Sequence, residues 1–388
     1  YAGYSFTGIC IMGIFQNTLL AAAASTTGED IAGGELWTWG LNDNGQLGLG
    51  DTTNRSSPVQ VGSLTDWATV QGGRQFMCAT KNDGTLWTWG KGTSGRLGHG
   101  NDDSLSSPAQ VGSLTDWSQI SVTENSVMAI KTDSTLWTWG DGGAGVLGNG
   151  EAVDKDSPVQ VGSLTDWSKV VAGKGTGWAL KTDGTLWGWG YNNQGQLGQG
   201  NTTANSSPIQ IGSATDWQYL GGGSRQCFAV RDGGKLFTWG EAENGALGSG
   251  ATTDRSSPVQ VGSLTDWGGK AGTAGGQNRG GFIKDDGTLW TWGNNGYGTL
   301  GDGTSTDRSS PVQVGSLTDW STLACGFRSM NAIKTDGTLW TWGSGKNGGL
   351  GLGNTTNYSS PVQIGSLTTW IASDQGAWRG FAGGIKTE

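Results

Sequence analysis

Apolar residues come in short bursts along this chain, each closed by glycine or by an Asp-Gly pair, and residues 66–112 show the pattern once. Asp66-Trp67-Ala68-Thr69-Val70 reads as a strand that ends at the turn Gly72-Gly73. A second burst, 76–81, runs into Asn82-Asp83-Gly84, and Asp-Gly between two apolar runs marks a tight hairpin because the turn needs positive φ. The third burst, Thr85-Leu86-Trp87-Thr88-Trp89, is β-branched and aromatic and so suits a strand. A long loop with Gly95, Gly98 and Gly100 then leads to Pro108-Ala109-Gln110-Val111, whose leading proline suits an edge strand, where a missing N–H costs little.

This unit is written seven times. Its Trp-x-Trp-Gly core, with Phe237 once replacing a tryptophan, ends at Gly40, Gly90, Gly140, Gly190, Gly240, Gly293 and Gly343. Four antiparallel strands in about 50 residues is the signature of a β-propeller blade. Neighbouring blades cover both faces of such a sheet, which predicts Leu86 on one side and Trp87 and Trp89 on the other as inter-blade packing. The ends of the chain complement each other. Gly384-Ile385-Lys386-Thr387-Glu388 repeats Ala332-Ile333-Lys334-Thr335-Asp336 and stops where a third strand is due, while Glu35-Leu36-Trp37 is that third strand. The fold predicted is therefore all-β, a closed seven-bladed β-propeller of four-stranded antiparallel blades. Its last blade is completed by strands from both termini, which leaves no sheet edge open. The propeller is assigned to residues 31–388 and an arm outside the repeats to residues 1–30.

Composition sharpens this reading. Of 22 tryptophans, all but Trp178 and Trp378 fall in the Trp-x-Trp motif or in the Asp/Thr-Trp that opens each unit, so they belong to the scaffold. The net charge of −9 gives no general electrostatic grip on DNA or RNA. Cys10, Cys78, Cys227 and Cys325 occupy non-equivalent positions and read as separate thiols rather than a disulfide framework or zinc site. Residues 9–24 are apolar and end in a small-residue run resembling a signal peptide's cleavage region, but Gln16-Asn17 breaks them and they are too short to span a membrane. They are expected either to pack on the propeller or to dock into a neighbouring subunit.

The run Trp39-Gly40-Leu41-Asn42-x-x-Gly45-Gln46-Leu47-Gly48-x-Gly50, followed by Ser57-Pro58-Val59, resembles the regulator of chromosome condensation repeat, and Trp189 to Gly198 repeats it. The resemblance covers residues 35–388. It implies a seven-bladed propeller with interlocked termini, in a family whose founding members promote guanine-nucleotide exchange on a small GTPase and bind chromatin, and whose other relatives are binding modules. The histidine that the family pattern has before the second strand is replaced here by Phe76, Ser126, Thr176, Gln226, Arg279, Ser329 and Phe381. The near-verbatim copies are similar in character to the bacterial and phage repeat members.

Chemistry specific to a ligand must lie where the copies differ. The turn before the second strand carries Arg74, Arg225, Arg279, Arg328 and Arg379, with Lys174 and Glu124 in the other two units. Repeat symmetry predicts that these residues share one face, as a cationic rim for an acidic partner or glycan, or else as solvated side chains paired locally. The loop after Trp-Gly varies too, as in Asn42-Asp43-Asn44 and Glu241-Ala242-Glu243-Asn244, and loops on a rigid scaffold are where binding residues gather. Residues 268–281, with Lys270 and Arg279, form the least regular segment, either a recognition loop or a relaxed turn. No catalytic constellation appears. His99 has no Ser or Cys partner in its unit, no phosphate-binding Gly-x-x-x-x-Gly-Lys-Ser/Thr occurs, and the acidic ligands of a calcium loop are missing. No cofactor or metal is expected. The expected function is a non-enzymatic binding or structural propeller on the exterior of an assembly, a virion or a bacterial surface. It would be tethered through residues 1–30 to a larger, oligomeric assembly, or contact a host-surface protein or glycan, with no nucleic acid and no membrane span. The alternatives are a guanine-nucleotide exchange factor and a carbohydrate-binding propeller.

Overall fold

A computed structural model describes residues 33–268, 272–273, 276, 278–376 and 380–388. The proposed arm 1–30, Lys270, Arg379 and Trp378 lie outside the described residues.

Within them the chain is all-β, seven sheets in a ring. The first complete blade consists of Trp67–Gly72, Phe76–Lys81, Leu86–Gly90 and Leu105–Gln110, each antiparallel to the next, as the sequence predicts. The closing blade runs Arg55–Gln60, Glu35–Gly40, Phe381–Lys386, Trp370–Gln375, so both termini build it as expected. Its central ladder pairs Glu35 with Lys386 and Gly40 with Phe381. One blade departs from the pattern. Arg279–Ile283, Leu289–Gly293 and Arg308–Gln313 form a three-stranded sheet, and the two-residue strand Gly272–Thr273 pairs in parallel with Trp320–Cys325 of the next blade.

The Trp-Thr-Trp-Gly strand assigns each residue a separate task. The second tryptophan of each copy is fully buried, and the indole of Trp89 donates to the Gln46 carbonyl of the preceding blade at 3.0 Å. Trp189, Trp239, Trp292 and Trp342 make the same reach, and Trp39 makes it to Gly349, closing the circle. Thr88 donates to the Leu97 carbonyl at 2.6 Å, fixing the long loop of its own blade. The first tryptophan differs from expectation in being only half-buried. Trp87 donates to Thr85, which donates to Asp83, and the Lys81 ammonium lies 4.5 Å from its ring centroid. That lysine also pairs with Asp66 of the Thr-Asp-Trp motif at 3.4 Å, so the repeated aspartate has an ion-pair role beyond the turn chemistry expected of it.

The closing blade lacks this aspartate, having Thr369 instead. There Lys386 turns to Glu35 at 2.6 Å, and Glu35 also accepts from the Trp37 indole. The neighbouring ammonium holds the Glu35 carboxyl below its ordinary range. The substitution thus converts a contact within one segment into a clamp between the two ends of the chain. Backbone contacts between blades repeat in the same way: Gly50 N–H donates to Ser106, Gly100 to Asp156, and around the ring to Gly353, which donates to Ser56.

Candidate functional site

The inner strands line a central channel. An innermost strand leaves backbone N–H groups without a ladder partner, and buried N–H groups need one. Side chains of the adjacent inner strand supply it: Gln71 accepts from Val122 N–H, Gln119 from Val170, Ser121 from Ala172, and Asp374 from Gly72 at 2.7 Å. The polar channel residues are therefore the seams between blades. They enclose a cavity of about 120 Å³ whose walls include Lys169, Cys325 and Asp374. Burial draws the Lys169 ammonium, which sits 3.9 Å from the Tyr219 ring centroid, down to about 8. Burial likewise pushes the Asp374 carboxyl up to about 7, against the opposing pull of the Gly72 and Gln375 N–H groups, and the Cys325 thiol to about 12. Cys78 and Cys227 are buried free thiols.

Asp374 yields a pH prediction. Its folded pKa lies above the unfolded value of 3.8, so folding favours the protonated form. Stability from this group is present below pH 3.8 and falls as pH rises from there through about 7. Asp374→Asn keeps an acceptor for Gly72 and removes the charge. The variant is expected to be about 1–2 kcal/mol more stable than the parent near pH 8 and to lose that part of the pH dependence, less than the full shift implies because Asp374 is only half-buried. Denaturation at several pH values checks this, and parallel pH profiles for both proteins would contradict it.

One mouth of the channel is ringed by the turns before the second strands, including Glu124, Lys174, Ser224 and Phe327. Because the second and third strands are antiparallel, the loop after each Trp-Gly lies beside the turn; Lys91 N–H donates to Gln75, and Ser344 N–H to Arg328. The two variable sets read from the sequence thus share one face. The cationic set is not one ring, however. Arg74 and Lys174 stand two residues before the second strand, Arg225 and Arg328 one residue before it, and Arg279 is its first residue, where other blades have Phe76 or Ser126. A one-residue step along an extended chain reverses the direction of the side chain. Arg279 is accordingly buried, donating to the carbonyls of Gly326 and Phe327 at 3.1 and 3.0 Å, and burial lowers its pKa to about 10. Lys174 pairs with Glu124 at 3.3 Å and Arg225 with Glu241 at 3.1 Å. Arg74 is half-buried, its N–H on the Glu124 carbonyl. Arg328 is exposed, its guanidinium 4.8 Å from the Tyr297 ring centroid and 5.0 Å from that of Phe327.

Grooves open on this face where adjacent blades meet. One of about 550 Å³ is lined by Leu41, Asp43, Phe327, Arg328, Ser344 and Lys346, among others. The equivalent groove three blades further on holds about 150 Å³, with Glu124, Lys174 and Tyr191 in its walls. The sequence held no direct sign of the larger groove, because its walls come from segments almost 300 residues apart. The opposite face carries Leu64, Leu114, Leu164, Leu264, Leu317 and Leu367, each 41–46% exposed, from the repeated Gly-Ser-Leu-Thr. His99 packs its Nε2 3.0 Å from the Thr88 hydroxyl in the long loop. Among the described residues no cluster of His, Cys, Asp and Glu suits a metal ion, and no helix is long and apolar enough to cross a membrane.

Comparison with known proteins gives one consistent result. Seven segments, 33–80, 83–130, 133–180, 183–230, 233–268, 286–329 and 336–377, match the model of the regulator of chromosome condensation (RCC1) repeat, and 167–196 matches a second model of the same repeat. The unmatched residues 269–285 contain most of the irregular segment. Among solved structures, yeast RCC1 (Prp20) bound to Kap60 is similar at 19% identity, with a TM-score of 0.81 over 92% of this chain and 90% of that one. A second structure, of Prp20p from Saccharomyces cerevisiae, was reported with its binding to Gsp1p and histones; it is 19% identical, with a TM-score of 0.81 over 92% of each chain. Human WBSCR16 is 20% identical, with a TM-score of 0.79 over 92% of this chain and 99% of that one. At these identities the likeness is one of fold. No curated protein matches the chain by sequence.

Proposed function

The chain belongs to the regulator of chromosome condensation repeat family, and from that premise we propose that it is a non-enzymatic scaffold that binds a protein partner through the face carrying the Trp-Gly loops. One observation carries this reading. The repeated residues build the blades and the tryptophan contacts between them, whereas the residues that differ between copies, apart from the channel-lining seams such as Gln71, Gln119 and Asp374, gather on this face, beside its grooves. Exposed aromatic side chains add to it, Tyr191 at 46% and Tyr297 at 38%, and tyrosine is enriched where proteins meet. The finer placement, on the exterior of a virion or bacterial surface with residues 1–30 as the tether, is supported by the near-identical copies and the apolar stretch 9–24. The same features support kinship with bacterial and phage members of the family.

A photocrosslinking residue placed at Tyr191 or Tyr297, and separately at Leu114 or Leu264 on the opposite face, tests the reading in extracts of the source organism. Specific adducts from the tyrosine sites are expected. Adducts from the leucine sites alone would contradict it. Removing residues 1–30 should release a folded propeller from its assembly, and unchanged assembly would refute the tether. Guanine-nucleotide exchange is the second reading, favoured by the shared fold of Prp20p, which binds Gsp1p. It requires faster nucleotide release from a small GTPase and loses its basis if a panel of GTPases shows none.

A further inference from the structure

The 550 Å³ groove differs from its smaller equivalent in charge as well as in size. In the smaller groove Lys174 is neutralised by Glu124, and Asp141 lines the same wall. In the larger one two exposed cations, Arg328 and Lys346, border the space, and no described carboxylate forms an ion pair with either. The one acid in its lining, Asp43, already accepts from Asn44 and Gln46 of its own loop. Arg328 is also held in place. Its guanidinium packs on Tyr297 and Phe327, and the buried Arg279 grips the carbonyls of Gly326 and Phe327, the two residues before it. A guanidinium already ordered on aromatic rings gives up little entropy when a carboxylate arrives, and it can bind that carboxylate through two parallel N–H groups. Ser344 and Asn347 line the same groove and offer hydrogen bonds to a peptide backbone.

We propose that this groove receives an acidic peptide segment of the protein partner, with Arg328 as anchor, Lys346 as second cation and Arg279 as the buried positioning residue. Charge complementarity sets the occupant: an acidic segment meets two exposed cations that no described carboxylate pairs. The volume suits a few residues of extended chain. The inference rests on the reading of this face as the partner-binding face and adds the chemistry that it recognises.

Fluorescence anisotropy of a labelled hexaglutamate peptide on the full chain tests it, with hexaglutamine as control. Saturable binding of hexaglutamate alone is expected, weakening as salt rises from about 50 to about 300 mM. Arg328→Ala with Lys346→Ala should weaken it by about tenfold or more, and Lys174→Ala should leave it unchanged. Both cations are exposed, so melting of the double variant should match the parent and exclude misfolding. Absent binding, or equal loss with Lys174→Ala, would overturn the proposal. So would Arg328-dependent binding of a labelled sialylated oligosaccharide without hexaglutamate binding, which would assign the groove to a glycan. Crosslinks from Tyr191 and Tyr297 that persist while hexaglutamate fails would refute the groove's chemistry alone and leave the partner-binding face standing.

Discussion

Trp89→Ala is expected to destabilise the propeller by about 3–5 kcal/mol, the range for truncating a fully buried large aromatic side chain. The indole is wholly excluded from solvent and packs edge-on against Trp67 at 6.1 Å between centroids. It also carries the Nε1–H that holds the Gln46 carbonyl of the preceding blade. Truncation therefore opens a cavity and strands a buried carbonyl. Gly48 shows how closely that carbonyl's loop wraps the ring, because a Cβ there would lie 2.8 Å from the Trp89 Nε1. Trp87→Ala is the internal comparison. Trp87 is half-buried under Lys81, so its loss should cost visibly less in a denaturant titration. Equal effects of the two substitutions would contradict the division of labour in the Trp-Thr-Trp-Gly strand.

Gly40→Ala should be the second severe change, costing more than about 2 kcal/mol. Gly40 has φ +100°, a conformation that a side chain resists, and an added Cβ would sit 2.3 Å from the Gly380 carbonyl oxygen. The oxygen is backbone and the Cβ is fixed directly to the chain, so neither can swing aside. The same φ recurs at Gly90, Gly140 and the other motif glycines, which explains why the motif ends in glycine. At Gly40 the clash falls on the seam between the two termini, so the variant should fray there first. Hydrogen exchange that accelerates in 381–386 ahead of 76–81 is the expected result, and uniform protection would contradict it.

The ring, its seven units and its closure were legible in the sequence because they depend on local chemistry: Asp-Gly hairpins, β-branched bursts and a terminal half-unit that lacked its complement. The candidate face was legible only in outline. Arg74, Arg225 and Arg279 look equivalent along the chain, yet they stand two residues before, one residue before and at the strand start, and burial depends on that register. The aspartate before six of the seven inner tryptophans read as turn chemistry because its cationic partner, Lys81 in the first blade, lies fifteen residues on, at the far end of the hairpin. The Glu35–Lys386 clamp was hidden for the same reason, its partners lying near opposite ends of the chain. The parallel pairing of Gly272–Thr273 with the next blade had no sequence signal, since two residues carry no periodicity.

Closure of the ring by both ends of the chain is the claim on which the rest depends, and the register Glu35↔Lys386 offers a direct test. Cysteines placed at both positions should oxidise to one intramolecular disulfide, identified by peptide mapping of the unreduced protein, and should raise the melting temperature. Thiols that stay free, or that link only between molecules, would show that the two strands are not neighbours and would refute the closed propeller.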